Sequence, residues 1–229
     1  MTLHRFFVEP GAVASEPFAL PSSIERQVRS VLRLRTGDRI VLLTGDGNEM
    51  LCRLDGDRCV VEERRPAPGE PAHRLTVFQA LLRGDALETV IQRGTELGVA
   101  AFTLVVTEHC VAREISARRL DRLRAIGREA AEQSERGIVP PIEGPVPLRE
   151  ALAPGSVLLF ERHDGARLGA LDPPGAVVIG PEGGFSPAEV LAAEQAGAQL
   201  AWLGPRILRS ETVAPAAAAV ILSRTGDFA

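Results

Sequence analysis

Two arginines, a glutamate and two hydroxyl side chains lie close together near the C-terminal end of the chain. They belong to the segment LGPRILRSET at residues 203–212, which connects a short apolar strand to a helix. A connection needs none of these side chains merely to turn, although Ser210 or Thr212 is expected to cap the helix. A guanidinium can stabilise developing negative charge, and a carboxylate can accept a proton. The candidates for chemistry in this segment are Arg206, Arg209 and Glu211.

A second unusual connection is the segment VIGPEGGFSPAE at residues 178–189, where an apolar strand ends in a glycine-rich turn. Ser186 and Glu189 have the spacing of a capping box, with Pro187 at the first helical position. Glycines let the backbone approach a ligand, and a helix N-terminus favours an anionic group such as a carboxylate or phosphate. The segment matches neither an ATPase phosphate loop nor a dinucleotide-binding fingerprint. A tight turn without a ligand is the alternative.

A third candidate is the segment EAAEQSER at residues 129–136. Glu132 and Arg136 are four residues apart, and a solvated helix face explains that pair. Gln133 and Ser134 stand near the predicted end of the helix, shortly before Gly137, and are less easily explained in this way.

The elements that position these segments fall into two parts, divided by the proline-rich stretch at residues 64–71. Before it, a helix at 23–34 with a capping box at 22–25 interrupts four strands, which predicts a small β-barrel of residues 1–70. The four strands are predicted at residues 5–8, 39–44, 49–54 and 58–61.

Strands and helices alternate after the proline-rich stretch, which predicts a mostly parallel sheet covered by helices on both faces. The strands are predicted at residues 75–81, 101–107, 157–160, 176–180 and 200–203. The helices are predicted at residues 86–97, 116–133 and 187–196, with a final one ending near 224.

Composition narrows the class of protein. The 229 residues are 45% apolar with a net charge of −4, which excludes a disordered chain and argues against indiscriminate coating of nucleic acid. All 26 basic residues are arginine, and they are concentrated at 26–39 and 113–128. These stripes predict either a phosphate-binding surface or ordinary solvated faces. Three cysteines without a C-x-x-C pair and four scattered histidines argue against a disulfide framework or a zinc site. The absence of a long apolar run or signal-peptide core predicts a soluble, cytosolic protein.

Several segments, in order along the chain, resemble one family of enzymes. They are EAAEQSERGIVPPI at 129–142, GPEGGFSPAEV at 180–190 and LGPRILRSETVAPAA at 203–217, supported by residues 84–99 and 31–38. Together they resemble the bacterial 16S rRNA uracil-N3 methyltransferases, which belong to the knotted SPOUT superfamily. Arg93 stands where that family often has lysine, and the histidine often found near Arg26 and Gln27 is missing here.

The resemblance implies an α/β protein with a PUA-like β-barrel at residues 1–70 that helps to hold RNA. A SPOUT α/β trefoil-knot domain would follow at residues 71–229. It also implies S-adenosyl-L-methionine as methyl donor, S-adenosyl-L-homocysteine as product and no metal. The expected partners are a second copy of the chain and 16S rRNA in the small ribosomal subunit or a late assembly particle, in the cytoplasm and away from membranes. The cofactor-binding residues so implied are Phe160, Gly180, Pro181, Glu182, Gly183, Leu203, Gly204, Ile207, Leu208, Arg209 and Thr212. The RNA-binding candidates are Arg5, Arg26, Arg29, Arg33, Arg113, Gln133 and Ser134.

The chemistry of such a transfer defines roles for the candidate residues. Uracil N3 is protonated at neutral pH, with a pKa roughly two units higher, so the reactive anion requires about 3 kcal/mol of electrostatic help or a general base. We predict that Arg209 stabilises this anion and that Glu211 orients Arg209 or accepts the proton, with Glu182 as the second candidate for the base. The target base must also be unpaired or flipped.

Two other functions fit the same sequence. A non-catalytic RNA-binding or assembly factor could keep both domains without turnover, and a related knotted methyltransferase could act on tRNA or on a ribose 2′-hydroxyl. Binding of S-adenosylmethionine separates the first from an enzyme, and the identity of the methylated atom separates the second.

Overall fold

The computed structural model describes residues 3–161 and 166–228 and divides the chain into two compact units. The first unit comprises residues 1–70 and 131–139, and the second comprises residues 71–130 and 140–229. A single division at residue 70 is therefore incomplete, because 131–139 pack with the N-terminal unit. Residues 64–66, which we expected to open the linker, instead close a strand.

The first unit is built on a five-stranded sheet with the strand order β1-β3-β4-β5-β2. Strands β1 and β3 are parallel, whereas the other pairs are antiparallel. The strands are β1 (Arg5–Phe7), β2 (Phe18–Ala19), β3 (Arg39–Leu43), β4 (Asn48–Asp55) and β5 (Arg58–Pro66). The sequence did not predict β2, because two residues are too short to show a period-two pattern.

The helix predicted at 23–34 is short and changes its winding. Helix α1 spans Ser22–Arg26 and continues as a π-helical turn at Gln27–Val31. The expected capping box is wrong, because Pro21 occupies the N-cap position and makes no side-chain cap. Val28 faces the core and is fully buried, whereas the apolar side chain of Val31 is exposed.

The two cysteines of the first unit are core side chains. Cys52 and Cys59 are fully buried. Burial raises the pKa of Cys52 to about 12 and that of Cys59 to about 11, because the thiolate loses its hydration. These thiols therefore act as small apolar groups.

Residues 131–139 are held in the first unit by carboxylates. The Glu70 carboxylate accepts hydrogen bonds from the Arg136 guanidinium at 3.1 and 3.3 Å and from the Ile138 amide at 2.9 Å. Glu132 accepts from the Phe7 amide at 2.9 Å. Arg136 is only 2% exposed, so this residue of the 129–136 segment is part of the packing and not of a solvated face.

The second unit contains a seven-stranded, fully parallel sheet with the order β10-β12-β9-β11-β6-β7-β8. Its strands are β6 (Thr76–Ala80), β7 (Ala101–Val106), β8 (Ile142–Pro147), β9 (Ser156–Leu159), β10 (Ala166–Arg167), β11 (Ala176–Ile179) and β12 (Gln199–Trp202). Its helices are α2 (Ala86–Glu96), α3 (Ala117–Gln133), α4 (Pro187–Gln195) and α5 (Ser210–Ser223), and α3 enters the first unit at Ala131.

The central strands of this sheet are buried on both faces, as a parallel sheet between helices requires. All four residues of β9 are buried, and Val177 and Val178 of β11 are fully buried. The sequence missed the edge strands β8 and β10. Two prolines in β8 resemble a loop, but an edge strand tolerates them.

Candidate cofactor and catalytic site

A cavity of about 560 Å³ lies in the second unit, at the carboxyl ends of β9, β11 and β12. Ligands of open α/β sheets bind at this edge. Of the predicted cofactor-binding residues, the cavity is lined by Phe160, Gly180, Pro181, Glu182, Leu203, Gly204, Ile207, Leu208 and Arg209. Both predicted catalytic residues, Arg209 and Glu211, line it as well.

Two of the predicted cofactor-binding residues, Gly183 and Thr212, do not line the cavity. Gly183 packs against Cβ of His109. A Cβ atom placed on Gly183 would lie only 2.9 Å from that atom. Thr212 is exposed, and its amide donates to the Arg209 carbonyl at 2.8 Å within the first turn of α5. Neither residue is among those that line the cavity.

One wall of the cavity is the glycine-rich turn at residues 180–184, which we call the glycine turn. Gly184 has φ of +69°, a backbone conformation that favours glycine, and its amide donates to the Pro181 carbonyl at 3.0 Å. Helix α4 follows with the predicted capping box, which is confirmed. The Ser186 amide donates to the Glu189 carboxylate at 3.0 Å, and the Glu189 amide donates to Ser186 Oγ at 3.3 Å.

Ser210 joins the glycine turn to the start of α5. The expectation that Ser210 or Thr212 caps this helix is wrong, because Arg209 occupies the N-cap position without a side-chain cap. The Ser210 hydroxyl instead donates to the Gly180 carbonyl at 2.5 Å and accepts from Gln79 Nε2 at 3.2 Å. Sequence reasoning missed Gln79, although a lone amide in an apolar strand was a signal of a buried hydrogen-bond network.

The opposite wall is the segment at residues 203–209, which we call the arginine loop. Arg206, Ile207 and Arg209 are exposed, and Ile207 retains 75% of its accessible surface. Within residues 3–161 and 166–228, no carboxylate forms an ion pair with Arg206 or Arg209. The expected orientation of Arg209 by direct pairing with Glu211 is therefore not seen in the part of the chain that the structure describes.

The charges around the cavity are balanced. Three arginines line it, namely Arg83, Arg206 and Arg209, together with three glutamates, Glu161, Glu182 and Glu211. Glu182 is already engaged, because its Oε1 accepts a hydrogen bond from the Arg83 amide at 3.0 Å. Glu211 has no such contact among the described hydrogen bonds, which leaves its carboxylate available to a ligand.

The predicted RNA-binding residues are distributed over both units. Arg113 belongs to the second unit and the others belong to the first. Arg26, Arg33 and Gln133 are exposed, and Ser134 is half-buried. The Arg5 side chain is only 7% exposed and pairs with Glu135 at 2.8 Å, so Arg5 stabilises the packing of the first unit.

Intramolecular contacts also occupy many of the arginines in the two stripes. Arg29 donates to the carbonyl oxygens of Leu34 and Gly56. Arg119 donates to the Gly84 carbonyl at 2.6 Å, and Arg122 pairs with Glu88 at 2.8 Å. Several arginines of the two stripes therefore stabilise the fold, so neither stripe as a whole is a surface devoted to binding phosphate.

Two kinds of feature are absent from the described residues, a metal-binding cluster and a membrane-spanning helix. The described residues contain no group of three or more histidines, cysteines or carboxylates that could hold a metal ion. None of the helices found in residues 3–161 and 166–228 is long and apolar enough to cross a membrane.

Comparison with known proteins identifies the family. The model of an RNA methyltransferase domain matches residues 69–222, and that of an RNA methyltransferase PUA domain matches residues 28–63. Ribosomal RNA small subunit methyltransferase E of Mycobacterium bovis is 36% identical over 224 residues, covering 86% of this chain and 81% of the relative. The Bacillus subtilis protein of that name is 30% identical over 241 residues, with 92% of each chain covered.

A solved structure shows the same fold over the whole chain. Ribosomal RNA small subunit methyltransferase E of Neisseria gonorrhoeae, crystallised with bound S-adenosyl methionine, superposes with a TM-score of 0.89 at 32% identity and covers 100% of both chains. The small β unit is thus a PUA-like domain, and the parallel-sheet unit is the methyltransferase domain. By sequence and by fold, the chain belongs to the ribosomal RNA small subunit methyltransferase E family.

Proposed function

We propose that this protein transfers a methyl group from S-adenosylmethionine to N3 of a uridine in 16S rRNA of the small ribosomal subunit. The observation that supports it best is the cavity between the glycine turn and the arginine loop. It lies in a chain that superposes on a small-subunit rRNA methyltransferase with that cofactor bound. The choice of uracil N3 comes from the resemblance to the 16S rRNA uracil-N3 methyltransferases.

The cavity suits the cofactor in size and charge. Its volume of about 560 Å³ lies within the range of about 300–1,000 Å³ typical of small-molecule sites. The cofactor carries a sulfonium and an ammonium group, and the carboxylates of Glu161, Glu182 and Glu211 line the cavity. Gly180 and Gly184 present backbone without side chains on one wall, which permits close approach of a flat ring or a ribose.

The residues of the arginine loop would prepare the nucleophile. The cofactor supplies a methyl group on an activated sulfonium, so the chain itself must favour the deprotonated uracil. We propose that the Arg209 guanidinium faces the negative charge shared by N3, O2 and O4 of the base. Glu211, two residues further on and also at the cavity, is the proposed proton acceptor, and Glu182 is the alternative.

We further propose that the PUA-like domain contacts RNA through its exposed arginines, Arg26 and Arg33. A protein with a net charge of −4 gains little from unspecific phosphate attraction, so a shaped RNA within an assembled particle is the favoured substrate. Because its proposed substrate is ribosomal RNA, we propose that the protein acts in the cytoplasm. We also propose that the protein is a homodimer and that the chain of its methyltransferase domain is knotted.

The test is methyl transfer from labelled S-adenosylmethionine to small ribosomal subunits that lack their own uridine N3 methylation. We expect 3-methyluridine in digested 16S rRNA, identified by mass, and less product on naked short oligonucleotides than on subunits. Methylation of a ribose 2′-hydroxyl or of tRNA would contradict the target. Failure to bind the cofactor would favour an assembly factor without catalysis.

A further inference from the structure

We propose that His109 is a positioning residue that holds the glycine turn in its ligand-binding conformation without itself lining the cavity. This inference rests on the proposed function, since it concerns how the same cavity takes up S-adenosylmethionine. His109 lies in the connection between β7 and α3 and does not line the cavity.

The contact is made by one ring nitrogen. Nδ1 of His109 lies 3.0 Å from the Gly183 carbonyl oxygen and 3.2 Å from the Gly184 carbonyl oxygen. Carbonyl oxygens only accept hydrogen bonds, so Nδ1 must carry the proton and donate. One donor thereby fixes two successive peptide units, the second of which belongs to a residue at the cavity wall.

The turn is shaped to receive this ring. A Cβ atom on Gly183 would stand 2.9 Å from Cβ of His109, closer than real Cβ atoms approach, although the φ of Gly183 is ordinary. Gly183 is therefore needed for the close approach of His109, whereas Gly184 is needed for its positive φ. The two glycines of the turn thus serve different purposes.

A second contact attaches the same connection to the same loop. The Glu108 amide donates to Oε1 of Glu189 at 2.8 Å, while Oε2 of that carboxylate accepts from the Ser186 amide. Neighbouring residues of one connection, Glu108 and His109, therefore hold the start of α4 and the glycine turn respectively. Removing the histidine leaves the helix start attached and loosens only the Gly183–Gly184 part of the turn, since the Ser210 and Arg83 contacts at Gly180 and Glu182 remain.

The consequence is preorganisation of the cofactor site. If the turn occupies its binding conformation for only part of the time, the apparent dissociation constant rises in inverse proportion to that fraction. Loss of the one donor that serves two carbonyls should weaken cofactor binding about tenfold. The rate at saturating cofactor should change little, because a bound cofactor holds the turn itself.

Two isosteric replacements test the role of the nitrogen at Nδ1. The side-chain nitrogen of asparagine reaches the position of Nδ1, whereas that of glutamine reaches the position of Nε2. In calorimetric titrations of the full-length protein with S-adenosylmethionine, we expect His109→Asn to keep the dissociation constant within about twofold. His109→Gln should raise it about tenfold, as should His109→Ala. The KM for the cofactor should follow the same order, with kcat within about twofold of the wild type.

The outcomes separate this inference from the proposed function. Wild-type affinity in all variants, or equal weakening by asparagine and glutamine, would overturn the positioning role. A wild-type protein that binds no S-adenosylmethionine would overturn the proposed function first, and the inference with it. The asparagine and glutamine variants keep the test decisive if His109→Ala does not fold.

Discussion

The two walls of the cavity are built in opposite ways. The glycine turn is fixed on several sides, by the Ser210 hydroxyl at Gly180, by the Arg83 amide at Glu182 and by the His109 ring at Gly183 and Gly184. For the arginine loop, the described side-chain hydrogen bonds include none made by the side chains of residues 203–209. Arg206, Ile207 and Arg209 extend from it into solvent.

This difference suggests that the two walls serve different functions in binding. A preorganised wall binds a ligand without first having to order itself, which suits the cofactor. A wall whose charged side chains have few internal contacts can adjust to a large substrate and complete the site when that substrate arrives. The comparison predicts that changes in the glycine turn alter stability and cofactor affinity, whereas changes in the arginine loop alter turnover.

The largest effect should come from Arg209→Ala. Removing a preorganised charge partner of a developing anion costs about 10²- to 10³-fold in rate, so we expect single-turnover methyl transfer to fall by that factor. Cofactor affinity should fall by no more than about threefold, because Arg209 is only one of the nine predicted cofactor-binding residues that line the cavity and the glycine turn is untouched. Arg209→Lys is the matched control, and it should restore part of the rate by keeping the charge without the planar fork.

The pH dependence of the same variant gives an independent check. If Arg209 stabilises the uracil anion, its loss leaves the base near its ordinary pKa, roughly two units above neutrality. The rate of Arg209→Ala should therefore continue to rise towards pH 9, whereas the wild-type rate should level off at lower pH. Parallel profiles for the two proteins would contradict this role.

Much of the fold could be predicted from the sequence because its signals are local. Apolar strands alternate with amphipathic helices after residue 71, and the capping box at Ser186 and Glu189 is as predicted. The failures have physical reasons as well. Strands β2 and β10 are two residues long. The assignment of 131–139 to the first unit depends on contacts of Arg136 with Glu70 and of Glu132 with Phe7, and the two partners in each contact are distant in sequence.

The site was predicted only in part, for a similar reason. The resemblance implied cofactor-binding residues in the segments at 180–184 and 203–212, and both segments contribute residues to one cavity. Sequence reasoning took Ser210 for a helix cap because a hydroxyl at a helix start is usually one. Nothing in the sequence indicates that Gln79 or His109 approaches these particular loops, because each contact joins residues that are more than 70 positions apart in sequence.

An intermediate effect is expected for Ser210→Ala, which tests how the glycine turn is fixed. The variant leaves the buried Gly180 carbonyl without the Ser210 donor and removes one of two acceptors of Gln79 Nε2, which also donates to the Ala80 carbonyl at 3.2 Å. The free energy of unfolding should therefore fall by about 1.5 kcal/mol. Urea denaturation measures this difference. Ser223→Ala is the matched control at the other end of α5, because Ser223 is exposed and donates only to the Val220 carbonyl of its own helix. Equal effects of the two variants would show that the Ser210 hydrogen bonds add nothing specific.

The smallest effect on stability is expected for Ile207→Ala, and the cavity contains its own control. Ile207 and Ile179 both line it, but Ile207 is 75% exposed, whereas Ile179 is 2% exposed at the end of β11. Ile179→Ala should cost about 2–5 kcal/mol in urea denaturation, because it leaves a cavity in the core. Ile207→Ala should stay within about 0.5 kcal/mol of the wild type. An effect of Ile207→Ala on the KM for ribosomal subunits, with unchanged stability and cofactor affinity, would indicate that this exposed side chain contacts the substrate. A large loss of stability would instead show that the arginine loop is packed as firmly as the glycine turn, and the contrast between the two walls would be wrong.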